Sequence, residues 1–522
     1  MAAWSHLVLF LTIAAIVSQH IVTLPRPLTY SHAWGAAGAA VEARAFRLAG
    51  IVALKAAPIH NNPPFGAHPE ADVHWPPLVY LALAFWTERF GEGEASIHGF
   101  ALSIFLITTA LLYYMLLDRF GSTAASFGVL AWLTLPVCLR YSHVVLNEAL
   151  ELPLVITSVT AFSLALEPSR RRGCWLVAGV AAIVLAVLSA WQAVLVPLGL
   201  LAGAIWNRDA DERRAATILL GAAAATAACI LGWYAFAYPV ISLDTVQAVL
   251  YRVGVSGSYS ANPLHNLSES FPAMTRWTMI RMVAVNLARM AGPFGLMTLV
   301  GFCWSQAGQW RERAGGRSFT IFCGLMFPPL LWFPIFMNHA AIHEFETILL
   351  APAVAFAVAG GAGQVLVFLA ARRNNATALL WTTVAGCVLM LLVPLLRQIH
   401  GSLQLRAGGG VFPVLAPREH IMAPDDEVEF GYAIRDRTAR EAVVLTPEMS
   451  SVPLYYSRRH MIGGIGSDED ISRVLPMIRQ DFQGIPIYLA LFSRERQRFP
   501  GALGGSPPIR DSDRFIVVKL AH

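Results

Sequence analysis

The sequence predicts an α-helical polytopic membrane protein of about eleven transmembrane helices, followed by a small C-terminal α/β domain. Three observations carry this prediction. Only 14% of the 522 residues are charged and 56% are hydrophobic, with a mean hydropathy of +0.55, whereas a soluble chain carries about 25% charged residues. Apolar stretches near the roughly 20 residues a span needs recur along residues 1–400. Arginines gather in alternate short loops between those stretches.

In chain order the candidate spans are Trp4–Leu24, Glu94–Leu117, Ser122–Cys138, Val145–Leu166, Cys174–Ala190, Ala193–Trp206, Ala215–Tyr238, Ala291–Ser305, Phe319–Met337, Thr347–Ala370 and Ala378–Leu396. The first lacks a basic n-region and a small-x-small cleavage site, so it reads as an anchor and not a removed signal. One set of loops holds Arg119; Arg170, Arg171 and Arg172; Arg208, Arg213 and Arg214; Arg311, Arg313 and Arg317; and Arg372 and Arg373. The opposite short loops hold little beyond Arg140. The positive-inside bias therefore predicts a cytoplasmic N-terminus. It places the first loop (residues 25–96), residues 239–290 and the C-terminal domain outside. The net charge of +5 is accounted for by this topology, and no nucleic-acid partner is expected. All six cysteines lie in or beside spans, which predicts no disulfide framework, and no Cys/His spacing suggests zinc.

Composition shifts after Arg397, and residues 416–522 are expected to form the α/β domain. Strands are predicted over Glu441–Thr446, Pro486–Phe492 and Arg514–Leu520. Ile471, Val474, Leu475 and Ile478 recur at helical spacing behind the N-cap candidate Ser467, so Asp468–Phe482 is predicted helical. Gly463-Gly464-Ile465-Gly466 lacks the strand–turn–helix context of a nucleotide site.

The first loop is long for a connection between spans, and long structured loops are where function concentrates. Helices are predicted over His32–Leu48 and Pro77–Phe90, lying on the outer membrane surface, with Phe85 and Trp86 suited to the interface. Ala56–Pro76 between them is rich in Pro, Asn and His and reads as irregular; Pro disfavours helix in the residue before it, so Trp75 should be extended. Ionisable groups in or beside spans are costly and functional by default. The candidates on one face are Glu42, Arg44, Asp72, His74, Arg140, His143, Glu148, Glu151, His339, His343, Glu344 and Glu346, from four separate loops. Taken singly, each is as well read as a solvated loop residue, and Glu42 and Arg44 as an exposed helix face. Glu148 and Glu151 resist that reading because they sit on the apolar run Val144–Leu166.

Several segments in this order resemble the GT-C membrane glycosyltransferases, nearest the bacterial protein O-mannosyltransferase and aminoarabinose-transferase group. They are His74-Trp75-Pro76-Pro77-Leu78-Val79-Tyr80, Asp118-Arg119-Phe120-Gly121, Leu135-Pro136 with Tyr141-Ser142-His143, Asn147-Glu148-Ala149-Leu150, and His343-Glu344-Phe345-Glu346 ahead of Leu350-Ala351-Pro352. The resemblance spans residues 1–400. It implies transfer of a sugar from a polyprenyl-phosphate donor to a lipid, glycan or protein acceptor, on the outer side of a bacterial inner membrane. The implied mechanism is an inverting single displacement in which a carboxylate orients or deprotonates the acceptor hydroxyl. The leaving phosphate gains charge and needs cationic or hydrogen-bonding partners. Arg140, His143, His339 and His343 are eligible, with Arg44, His74 and Glu344 as further substrate-binding candidates. No metal or other cofactor is required, since arginine alone can hold a monophosphate.

One departure narrows the question. The family places an Asp on the first-loop helix, a few residues before an Ala-Arg pair. Here the pair is Ala43-Arg44 and the matching position is about Gly38. Glu42 lies four residues on, along the same helical face. The acid is Glu42, or Asp72 reaching in, or activity is lost and the protein binds or assembles envelope glycans without catalysis. Glu148 stands at the second acidic position. A transporter would need broken spans and charges at the bilayer midplane, against which the clustering at one face stands.

Overall fold

The computed structural model describes residues 2–28, 33–66, 71–142, 144–168, 171–239, 275–290, 316–371, 425–504, 508–511 and 514–520, with isolated positions between 246 and 253. The helices are α1 (Ala2–Thr23), α2 (Ala33–Ala49), α3 (Leu78–Phe90), α4 (Glu94–Phe120), α5 (Ser122–Thr134), α6 (Pro136–Tyr141), α7 (Asn147–Ala165), α8 (Arg172–Ser189), α9 (Leu195–Asn207), α10 (Ala210–Ala237), α11 (Arg276–Met290), α12 (Gly316–Ile335), α13 (Met337–Ile342) and α14 (Ala351–Ala371). Short 3-10 turns at Trp191–Val194 and Glu344–Leu350 lead into α9 and α14. Seven helices among the described residues are long and apolar enough to cross a membrane, with shorter apolar helices at Ser122–Thr134 and Trp191–Asn207. The chain is thus a multi-pass membrane protein. The expected spans Ala291–Ser305 and Ala378–Leu396 lie outside the described residues.

Local chemistry sets the breaks. Gly121 alone joins α4 to α5, at φ +78°, a conformation open to glycine. The expected span Ser122–Cys138 divides at Leu135, which is extended because Pro136 follows it. Small residues allow close packing of spans. A Cβ on Gly203 of α9 would lie 2.7 Å from the Thr320 Cα of α12, and one on Gly199 would lie 2.6 Å from Phe327 Cβ.

The first-loop helices appear where predicted, within one residue at each end. Their setting differs from the surface picture. α2 is buried from Ala36 to Phe46, packed between α3 and a helix of the C-terminal domain. Its alanines and glycines let both neighbours approach, so neither Glu42 nor Arg44 faces solvent.

The C-terminal domain contains α15 (Asp425–Arg437), β1 (Val443–Leu445), α16 (Ser451–Ser457), β2 (His460–Ile462), α17 (Asp468–Asp481), β3 (Ile487–Phe492), α18 (Pro500–Gly504), β4 (Pro508–Asp511) and β5 (Phe515–Lys519). The sheet order is β2-β1-β3-β5-β4, with β1 parallel to β2 and β3, and β5 antiparallel to β3 and β4. β3 is buried on both faces. Ile487, Leu489 and Leu491 pack with Ile471, Val474 and Ile478 of α17. The alternate residues Tyr488, Ala490 and Phe492 join Phe430, Tyr455 and Tyr456 in a core continuous with the membrane helices. Ser467 caps α17, its side chain accepting from the Asp470 N–H.

Candidate active site

The first loop is fastened to the C-terminal domain by buried polar groups. Asn61 pairs with the backbone of Met461, donating to its carbonyl at 2.8 Å and accepting from its N–H at 2.9 Å. Asn62 donates to the carbonyls of Leu454 (2.8 Å) and Arg459 (3.1 Å). Arg44 donates to Glu92 (3.0 Å), to Asn62 Oδ1 (2.9 Å) and to the Tyr455 carbonyl (3.2 Å), with its guanidinium 5.0 Å from the Tyr455 ring.

Glu42 lies one helical turn from Gly38 and is 3% exposed. Its Oε1 is 2.8 Å from His60 Nδ1, and His60 Nε2 is 2.9 Å from Ser451 Oγ, at the first turn of α16. Glu42 Oε2 has no hydrogen-bond partner among the described residues, and the Tyr80 hydroxyl is within electrostatic reach of the carboxyl. Burial pushes the Glu42 carboxyl up, His60 opposes by hydrogen bond and charge, and Asp72 adds to the rise, leaving it at about 7. A carboxyl that titrates near neutrality suits a general base.

The structure also explains why no acid stands at Gly38. A Cβ there would lie 2.7 Å from His60 Cε1 and 3.3 Å from Ser451 Oγ. The imidazole occupies the space that a side chain at position 38 would need.

Asp72 sits opposite. Its backbone N–H donates to the Pro58 carbonyl at 2.7 Å. Its Oδ1 takes the His74 N–H at 3.0 Å and lies 2.8 Å from His74 Nδ1. Burial works against ionisation, but these His74 contacts outweigh it and hold Asp72 at about 2. The His74 carbonyl accepts from Trp191 Nε1 at 2.6 Å, so the 3-10 turn before α9 fixes this segment.

Tyr80 links the carboxylates. Its buried hydroxyl lies in electrostatic reach of Glu42, Asp72 and Glu148, and burial with these charges pushes its titration well above the usual phenol value. Asn147 donates to it at 3.2 Å. Glu148, beside Asn147 at the start of α7, accepts from Gln192 Nε2 at 3.3 Å, and the same nitrogen is 3.5 Å from Glu346 Oε2. Glu148, Glu151 and Glu346 are each 1% exposed or less. Two hydrogen-bonded groups, Ser451–His60–Glu42 and Glu148–Gln192–Glu346, are thus brought within electrostatic reach of Tyr80, which Asn147 holds beside Glu148.

Of the residues picked from sequence, the structure gathers Glu42, Asp72, His74 and Glu148. Arg44 lies beside them but directs these bonds to Glu92, Asn62 and Tyr455. Arg140 and His343 belong to an aromatic line: Arg140 lies 5.8 Å from the Tyr141 ring, Tyr141 6.0 Å from Phe345, and Phe345 5.2 Å from His343, which is 6.0 Å from Trp34 at the start of α2. His143 lies outside the described residues, as do the side chains of His339 and Glu344. Sequence reasoning passed over His60, Ser451, Tyr80 and Gln192 as site residues. Tyr80 was within reach as the end of the His74–Tyr80 segment, and Gln192 as a polar residue in an apolar stretch.

Comparison with known proteins agrees with this architecture. The family model described as dolichyl-phosphate-mannose-protein mannosyltransferase matches residues 74–234. No curated protein matches the chain. Among solved structures, ArnT from Cupriavidus metallidurans bound to undecaprenyl phosphate is similar over 98% of this chain and 97% of its own, with TM-score 0.60 and 15% identity. The apo form gives 99% and 98%, TM-score 0.59 and 15% identity. The Archaeoglobus fulgidus oligosaccharyltransferase is similar over 94% of this chain and 69% of its own, with TM-score 0.56 and 13% identity. The resemblance read from the sequence is therefore matched in three dimensions along nearly the whole chain, and the fold is that of the GT-C membrane glycosyltransferases, in its ArnT-like form.

Proposed function

We propose that this protein transfers a sugar from a polyprenyl-phosphate donor to an acceptor outside the cytoplasm, with Glu42 activating the acceptor. The observation that carries the reading is Glu42 itself: a buried carboxyl near neutrality, on the loop that the resemblance makes the home of the acid. The similarity to ArnT bound to undecaprenyl phosphate supports the donor class. The arginine distribution supports the outward orientation of the site.

In this mechanism the acceptor hydroxyl gives its proton to Glu42 as its oxygen attacks the anomeric carbon. The new C–O bond forms as the bond from that carbon to the phosphate oxygen breaks, and the electron pair leaves with the lipid phosphate. His74, held against the ionised Asp72, and Arg140 meet the charge that develops on the phosphate. Tyr80 keeps its proton beside three carboxylates and is placed to donate to an acceptor or sugar oxygen. Glu148, held by Gln192 at the start of α7, is the second carboxyl assigned to the sugar side of the site.

The test is a panel of undecaprenyl-phosphate-linked pentoses and hexoses offered to the purified protein in nanodiscs, with envelope lipid and protein extracts as acceptors. Undecaprenyl phosphate release is followed by mass spectrometry. Consumption of one donor, with Arg140→Met raising its KM, is expected. Failure to consume any donor in the panel, with every acceptor extract, overturns the reading.

A further inference from the structure

We propose that His60 and Ser451 form a positioning pair through which the C-terminal domain aims Glu42 Oε2 at the acceptor and stabilises its carboxylate form. The inference rests on Glu42 being the acid named above. It assigns to the C-terminal domain a direct part in the site.

The geometry is a relay across the junction of the two domains. Glu42 Oε1, His60 Nδ1, His60 Nε2 and Ser451 Oγ follow one another at 2.8 Å and 2.9 Å across the ring. A carboxylate only accepts, so with a neutral ring His60 Nδ1–H donates to Glu42 and the Ser451 hydroxyl donates to Nε2. Ser451 thereby selects the tautomer that serves Glu42. One Glu42 oxygen is engaged, and the other has no hydrogen-bond partner among the described residues.

Packing alone does not account for the arrangement. The His60 side chain is 40% exposed, so it contributes little to the core, while its two ring nitrogens meet groups that are 3% and 5% exposed. The chain spends its strongest loop–domain clamps on the next two residues, Asn61 and Asn62, which hold His60 in register with Ser451. Gly38 leaves room for the ring where a Cβ would strike it. Among the described residues, the other ionisable groups that face Glu42 are Asp72 from the loop, Tyr80 from α3 and Tyr234 from α10. Of these neighbours, only His60 brings a nitrogen donor to the Glu42 carboxyl.

The readout is the pH midpoint of the carboxylic-acid infrared band that Glu42→Gln removes, recorded on the full-length protein in nanodiscs without substrate. Losing the imidazole removes a donor from the carboxylate, so His60→Asn is expected to raise that midpoint by about one pH unit, a tenfold change in the protonation constant. Gly38→Ala is expected to act in the same direction by displacing the ring. Ser451→Ala should give a smaller rise that Ser451→Thr reverses. The acid limb of the pH–rate profile for donor consumption should move by the same amount. An unchanged midpoint in folded His60→Asn and Gly38→Ala overturns the proposal. A midpoint that moves, together with transfer that is indifferent to Glu42→Gln, upholds the positioning pair and overturns Glu42 as the base.

Discussion

The junction between the first loop and the C-terminal domain depends on Arg44, and its removal has a calculable cost. Arg44 is 5% exposed, and burial pulls its guanidinium down to about 10, so it remains charged at neutral pH. Arg44→Met keeps the apolar stem and deletes the donors. Glu92 loses its 3.0 Å partner but retains Arg47, and Arg458 at 3.6 Å. The full penalty of breaking a buried ion pair, about 3–5 kcal/mol, is therefore reduced. Asn62 Oδ1 and the Tyr455 carbonyl lose a charged donor in a buried setting, at about 1–3 kcal/mol each. Taking the lower end of each, with about 1 kcal/mol left for the ion pair, the sum is about 3 kcal/mol, or a factor of roughly 100 in local opening. Amide exchange followed by mass spectrometry reads this opening on the peptides covering Asn61–Asn62 and α16. Those amides should exchange about 100-fold faster in Arg44→Met while α17 is unchanged. Acceleration of less than about threefold would refute the assignment of Arg44 as the clamp.

Other consequences follow from particular contacts. The Glu42 carboxyl is raised from 4.5 to about 7 in the folded chain, so between those values the folded state binds more protons than the unfolded one. Stability contributed at this site therefore falls as pH rises through that window. Glu42→Gln, which has no proton to lose, should gain on wild type by up to about 3 kcal/mol more at about pH 8 than at about pH 4; melting temperatures of the two proteins across that range decide it, and a pH-independent difference contradicts the burial argument. Gly199→Ala puts a methyl group 2.6 Å from Phe327 Cβ. It should cost about 1–3 kcal/mol by forcing α9 and α12 apart, visible as a lower melting temperature, whereas Gly221→Ala, with open space around it, should be neutral. Ser467→Ala removes the cap of α17 and should cost about 1 kcal/mol, read as faster amide exchange in its first turn.

The membrane helices were legible because a span writes itself locally, as a run of apolar residues bracketed by arginines. The two first-loop helices were legible for a similar reason, since Pro77 and the alanine-rich run around Val41 mark them. Their burial was not. A helix of small residues with one acid and two arginines reads equally well as a surface helix, and what covers it is α16, about 400 positions away. The same distance hid the site's best-placed partner: His60 and Ser451 are separated by 391 residues. In the C-terminal domain, β1, β3 and β5 showed as apolar runs, while β2 (His460–Ile462) and β4 (Pro508–Asp511) mix polar, charged or proline residues into a few positions and present no such run. Glu148 stood out as a charge on an apolar run, yet its link to Glu42 through Asn147 and Tyr80 needed the fold. Gly38 is the instructive case. Its missing acid pointed to lost activity or a substitute, and the structure fills the vacant volume with an imidazole bonded to the nearest acid.

The proposed chemistry turns on Glu42 as the acceptor-activating base. It is tested most directly by steady-state undecaprenyl phosphate release from the donor that wild type consumes, in Glu42→Gln and Asp72→Asn. Glu42→Gln is expected to lose about 100-fold or more in kcat with little change in donor KM. Asp72→Asn is expected mainly to raise donor KM, because it releases His74 from the Asp72 carboxylate. Wild-type kcat in Glu42→Gln would contradict the proposed chemistry.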